Sequence, residues 1–141
     1  MTTKKLNYWL DEKDLKTPKH DKMVLWCFDN AKKVIDESNT DYYKEINEEN
    51  IKKTIEYAIP KTTGFIDLAF HINHSNCSRD DFFLEIKPEI KSIGEVMRQI
   101  NYYRKYLRED IIFILVTKTK GLKEIFKTQK VYIYEYEENK K

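Results

Sequence analysis

Glycine is nearly absent from this sequence. Its 141 residues include three, Gly64, Gly94 and Gly121, each standing apart from the others. The dinucleotide fingerprint G-x-G-x-x-G and the Walker A loop both need clustered glycines where the backbone approaches a phosphate, so neither can exist here. Cysteine is as scarce. Cys27 and Cys77 cannot build a disulfide framework. Long hydrophobic runs are missing too. The longest, residues 111–116, falls far short of the roughly 20 apolar residues of a membrane span. The first residues carry no apolar core of a secretory signal, so the expectation is a cytoplasmic protein with no membrane partner. An excess of one charge is also lacking. Lys and Arg total 26 against 24 Asp and Glu, a net of +2. A polybasic coat is thereby excluded as the main means of holding nucleic acid, but a local basic surface is not.

What is present suffices for a fold. Hydrophobic residues make up 40% and aromatics 13% of the chain, more than a disordered segment carries. The length is that of one domain, 1–141, with a polar lead-in over 1–19 and a charged tail over 137–141. Apolar residues at Met23, Val24, Cys27, Phe28, Ala31, Val34 and Ile35 have helical spacing, which predicts a helix over 20–38. Residues 42–53 are polar and read as a short helix at most. Strands are expected over 55–59, 64–72, 82–87, 111–117 and 131–136, the last nearer a sheet edge. Ser92-Ile-Gly-Glu95 has the S-x-x-E form that opens a helix, here predicted to run to about Leu107, and a shorter helix is expected over 122–127. The resulting order, helix, three strands, helix, strand, helix, strand, predicts an α/β (α+β) fold with a central mixed sheet flanked by helices.

Three charged residues sit where charge is expensive. Asp67 lies within Gly-Phe-Ile-Asp-Leu-Ala-Phe, and Glu85 and Lys87 end Asp-Phe-Phe-Leu-Glu-Ile-Lys. If their strands are neighbours, Asp67 meets Glu85 across the sheet. Two carboxylates so close repel unless one takes a proton or a cation lies between them. Mg²⁺, or Mn²⁺, suits such oxygen donors, and a metal-bound water is easier to deprotonate. A lysine beside them can hold a phosphate or orient water. Taken alone, Glu-x-Lys is common and usually a strand-end ion pair. A zinc reading of His71-x-x-His74-x-x-Cys77 lacks a fourth ligand nearby, and a thiol hydrolase using either cysteine lacks any local signature.

Taken together, Gly64-Phe-Ile-Asp67, Glu85-Ile-Lys87 and the helix carrying Gln99 resemble the PD-(D/E)xK nuclease superfamily, the restriction-endonuclease-like and Holliday-junction-resolvase-like nucleases. The resemblance covers roughly residues 20–136. It implies an αβββαβ core and a metal-dependent nuclease hydrolysing phosphodiester bonds. Asp67, Glu85 and the carbonyl of Ile86 would be metal ligands, Lys87 the catalytic lysine and Gln99 a further residue of the site. Ile66 stands where the nominal motif has proline. Many members also place an acid on the first helix. Asp21 is favoured for that role here, with Asp29, Glu37 and Glu56 as alternatives. The helix after the site carries cations with interleaved tyrosines, which makes Lys91, Arg98, Tyr102 and Lys105 candidates for nucleic-acid binding. DNA is expected over RNA, and cutting both strands would favour a homodimer. The alternative is an inactive nuclease fold that binds nucleic acid or serves assembly of a DNA-processing or defence complex.

Overall fold

A computed structural model describes residues 17–38, 40, 42 and 45–138. The polar lead-in and the end of the charged tail lie largely outside the described residues. Thr17 opens the first helix. Its Oγ1 accepts from the His20 N–H at 3.1 Å, and Pro18 at the first position is already set for helical φ. Helix α1 spans Pro18–Asp29 and α2 spans Ala31–Glu37. The single helix expected over 20–38 is therefore two. Asn30 leaves helical dihedrals, its side chain donates to the Trp26 carbonyl at 2.8 Å, and the chain restarts at Ala31. The cap of α2 comes from Glu48, which accepts from the Ala31 and Lys32 amides at 3.2 and 2.9 Å.

Among the described residues of 42–53, where a short helix is expected, there is a 3-10 turn, Glu48–Asn50, and then the start of a strand. Five strands follow, β1 Ile51–Ala58, β2 Phe65–Asn73, β3 Arg79–Ile86, β4 Ile112–Thr117 and β5 Val131–Glu135. Helix α3, Ile93–Arg104, lies between β3 and β4, and α4, Lys123–Lys127, between β4 and β5. The sheet order is β1-β2-β3-β4-β5. The first three strands are antiparallel, and β4 and β5 add in parallel. This is the predicted mixed sheet with helices on it. Strand β1 begins at Ile51 rather than Ile55, because an edge strand with Lys52 and Thr54 exposed shows little apolar alternation.

Side-chain alternation divides the core into two layers. Phe82, Leu84 and Ile86 of β3 and Ile114 and Val116 of β4 pack with Met23, Val24 and Cys27 of α1 and with Val34 and Ile35 of α2. Phe83, Phe113 and Leu115 pack on the other face with Val96, Ile100 and Tyr103 of α3 and Phe126 of α4. Burial pushes the Cys27 thiol up to about 12, so it stays neutral and inert. One buried charge far from the sheet's end is fully met. Asp81 accepts from Arg79 Nε at 2.9 Å and Arg108 Nη2 at 2.5 Å, and lies 2.6 Å from His71 Nδ1.

In β2 the facing changes. Leu68, Phe70 and Ile72 join the α1 layer, whereas Ile66 and its β1 partner Tyr57 join the α3 layer. The change falls at Asp67 and at Glu56 opposite it on β1, and Glu56 has the left-handed φ of 56°.

Candidate active site

The paired register of β2 and β3 ends at Leu68↔Leu84. One step further, Asp67 and Glu85 face each other, and side chains take over from the backbone ladder. The Ile86 N–H donates to Asp67 Oδ2 at 2.8 Å, and the Asp67 N–H donates to Glu85 Oε1 at 3.3 Å. Both carboxylates are buried, Asp67 at 4% exposure and Glu85 at 2%. A carboxylate so enclosed needs donors, and backbone amides at a splayed strand end supply them.

Lys87 is held by its own backbone. Its N–H donates to the Val116 carbonyl at 2.8 Å, continuing the parallel pairing with β4. Its Nζ stands 3.9 Å from Glu85 Oε2, a loose pair, with the side chain 28% exposed. The lysine thus reaches solvent from a buried acid. Ile86 turns its N–H toward Asp67. In regular strand geometry a residue's carbonyl points to the same side as its N–H, which is the β2 side here.

Sequence reasoning missed His20. This histidine of α1 is 7% exposed, and its Nε2 lies 3.1 Å from Asp67 Oδ2. The atom is buried and makes no well-aligned hydrogen bond among the described residues. Its other ring nitrogen lies 3.2 Å from Asp21 Oδ1. The acid favoured on the first helix therefore stands behind the histidine, in a chain Asp21–His20–Asp67. A carboxylate on the far nitrogen of an imidazole fixes its tautomer and its orientation. A lone histidine before an apolar stripe gives no signal in the sequence. Asp29 is exposed at the end of α1, and Glu37 pairs with Lys33 at 3.1 Å.

Gln99 lies on α3 and donates from Nε2 to the Tyr103 hydroxyl at 3.3 Å. Tyr103 in turn covers Gly64, just before β2. A Cβ at Gly64 would lie 2.8 Å from Tyr103 Cε1, closer than carbon atoms approach. Gly64 is thus required by a packed ring that links α3 to the strand bearing Asp67. Lys91, Arg98, Tyr102 and Lys105 are all exposed, the last three on one face of α3 and its end.

As the side chains stand, no three or more His, Cys, Asp or Glu among the described residues are gathered to hold a metal ion. His71, His74 and Cys77 are not gathered into a zinc set; His71 Nδ1 lies 2.6 Å from Asp81 and His74 Nε2 lies 2.6 Å from Asp80. No helix among the described residues is long and apolar enough to cross a membrane. No family model, curated protein or solved structure matches the chain.

Proposed function

We propose that the chain is a metal-dependent nuclease of the PD-(D/E)xK type that hydrolyses phosphodiester bonds, in DNA before RNA. The observation that carries this reading is the meeting of Asp67 and Glu85 at the splayed end of two strands, with Lys87 reaching solvent beside them. The buried His20, with Nε2 3.1 Å from Asp67 Oδ2, supports it further. The donors suit a hard divalent ion. Asp67, Glu85 and the Ile86 carbonyl offer the oxygen donors that Mg²⁺ and Mn²⁺ take, and His20 stands beside them against Asp67.

When bound, the ion would lower the pKa of a water and stabilise charge on the phosphate. The chain's own residues do the rest. Lys87 holds a phosphate oxygen or orients the attacking water, its charge tethered loosely by Glu85. Asp21 keeps His20 turned toward Asp67. Tyr103, packed on Gly64 and bonded through its hydroxyl by Gln99, fixes α3 against the strand that carries Asp67. Two copies would be needed to cut both strands of a duplex at one position.

A second reading, a nucleic-acid-binding or assembly subunit without turnover, draws on the hydrogen bonds the two carboxylates already make to backbone amides. A crystal soaked in Mn²⁺ separates the two. Anomalous density between Asp67 and Glu85, lost in Asp67→Asn, is expected for the nuclease. An unchanged Asp67–Ile86 bond with no anomalous peak would overturn it.

A further inference from the structure

Among the described residues, two large aromatic side chains are strongly exposed, Phe65 at 44% and Tyr102 at 47%. Both stand beside elements of the proposed site. Phe65 opens β2 two residues before Asp67, at the point where the facing of the strand changes. Tyr102 lies on α3 between Arg98 and Lys105, at the four- and three-residue spacings that form one helical stripe. Tyr102 also meets the ring of Tyr103, at 6.0 Å, and that ring covers Gly64 next to Phe65.

The cations of the stripe are uncommitted. The side chains of Arg98 and Lys105 form no ion pair or hydrogen bond among the described residues. Arg104 differs. Its Nη2 donates to the Lys130 carbonyl at 2.9 Å, its guanidinium lies over Phe113, and burial holds its pKa below the usual arginine range. Arg98 leans back over Gly94, toward the start of α3 and the loop that follows Lys87. Positive charge thus runs from Lys105 past Tyr102 to Arg98, with the acid Glu95 one turn nearer the start of α3, and this stretch is complementary to a phosphate backbone.

A duplex offers phosphates and base edges to an outer surface but keeps its base faces stacked. An exposed tyrosine between two cations uses its ring face, and base faces are available only on an unpaired strand. We propose that this track binds single-stranded DNA, with Tyr102 stacking on a base, Arg98 and Lys105 holding the flanking phosphates, and Phe65 stacking next to Asp67. The cleavage position in this proposal rests on the nuclease reading; the binding does not. One strand then suffices, and no second copy is required.

Binding is measured by anisotropy in EDTA, so that turnover cannot interfere, with a labelled oligothymidylate and a blunt duplex of equal length. The single strand is expected to bind about tenfold tighter or better, and Tyr102→Ala to lose about tenfold while Tyr102→Trp retains affinity. Phe65→Ala is expected to lose affinity in the same direction. Equal or tighter duplex binding would overturn the proposal, as would a Tyr102→Ala protein that binds like wild type. Single-strand binding without any cleavage in metal would sink the nuclease reading and leave this one standing. Duplex cleavage with no single-strand preference would do the reverse.

Discussion

Asp67 and Glu85 each use a carboxylate to bind backbone amide at the point where β2 and β3 part, Asp67 to Ile86 and Glu85 to Asp67 itself. The two acids thereby continue the sheet by one step that the ladder does not make. Asp67→Asn keeps an acceptor for the Ile86 N–H and is expected to fold as wild type does. Asp67→Ala orphans that buried amide and is expected to cost about 1–3 kcal/mol. Urea denaturation of the two variants tests the difference, and Mn²⁺ binding is expected to fail in both.

Gly64→Ala is expected to destabilise by about 1–3 kcal/mol, since its Cβ would fall 2.8 Å from Tyr103 Cε1. Shortening the ring in Tyr103→Leu should relieve part of that cost. The double variant is then less destabilised than the sum of the two singles. Additive losses would show that the Gly64–Tyr103 contact is not the cause. The Gly64 variant should also lose activity beyond its loss of folded protein, because Gln99 is held by the same Tyr103 hydroxyl.

Much of this was legible because it was local. Ser92 caps α3 as its S-x-x-E pattern predicts, with Oγ accepting from the Glu95 N–H at 3.2 Å. The continuous apolar run of β4 reads as a strand covered on both faces, and it lies between β3 and β5. The two acids of the site announced themselves by interrupting apolar strands. What escaped the sequence depends on distant partners. The break at Asn30 coincides with a cap supplied by Glu48, which lies 17 residues beyond Ala31. The start of β1 hides because its exposed side carries Lys52 and Thr54. His20 joins the site only because α1 passes the end of β2, a tertiary fact with no periodic signature.

Glu48 tests the stability of the first layer. Burial alone would raise its carboxyl, but the hydrogen bond from Lys53 and the amides of Lys32 and Ala31 outweigh that and hold it below the ordinary range. Its folded pKa is the lower one. The stabilisation is therefore full above the unfolded value of 4.5 and is lost as pH falls through the folded value. Glu48→Ala is expected to cost about 1 kcal/mol at neutral pH by leaving α2 uncapped. The gap between wild type and variant should close in acid, measured as thermal midpoints across pH 3–7. A gap that stays constant through that range would mean the carboxylate charge is not what caps α2.

The central claim is that Asp67, Glu85 and Lys87 form a hydrolytic centre, and cleavage under single-turnover conditions tests it most directly. Wild-type protein with Mg²⁺ or Mn²⁺ is offered labelled single-stranded and duplex DNA beside Lys87→Ala. The lysine is partly exposed and its backbone bond to Val116 survives the change, so the variant should fold. The account predicts metal-dependent cleavage by wild type and a loss of at least about a hundredfold in Lys87→Ala. Wild type and Lys87→Ala cleaving alike, or neither cleaving any substrate with either metal, would contradict it.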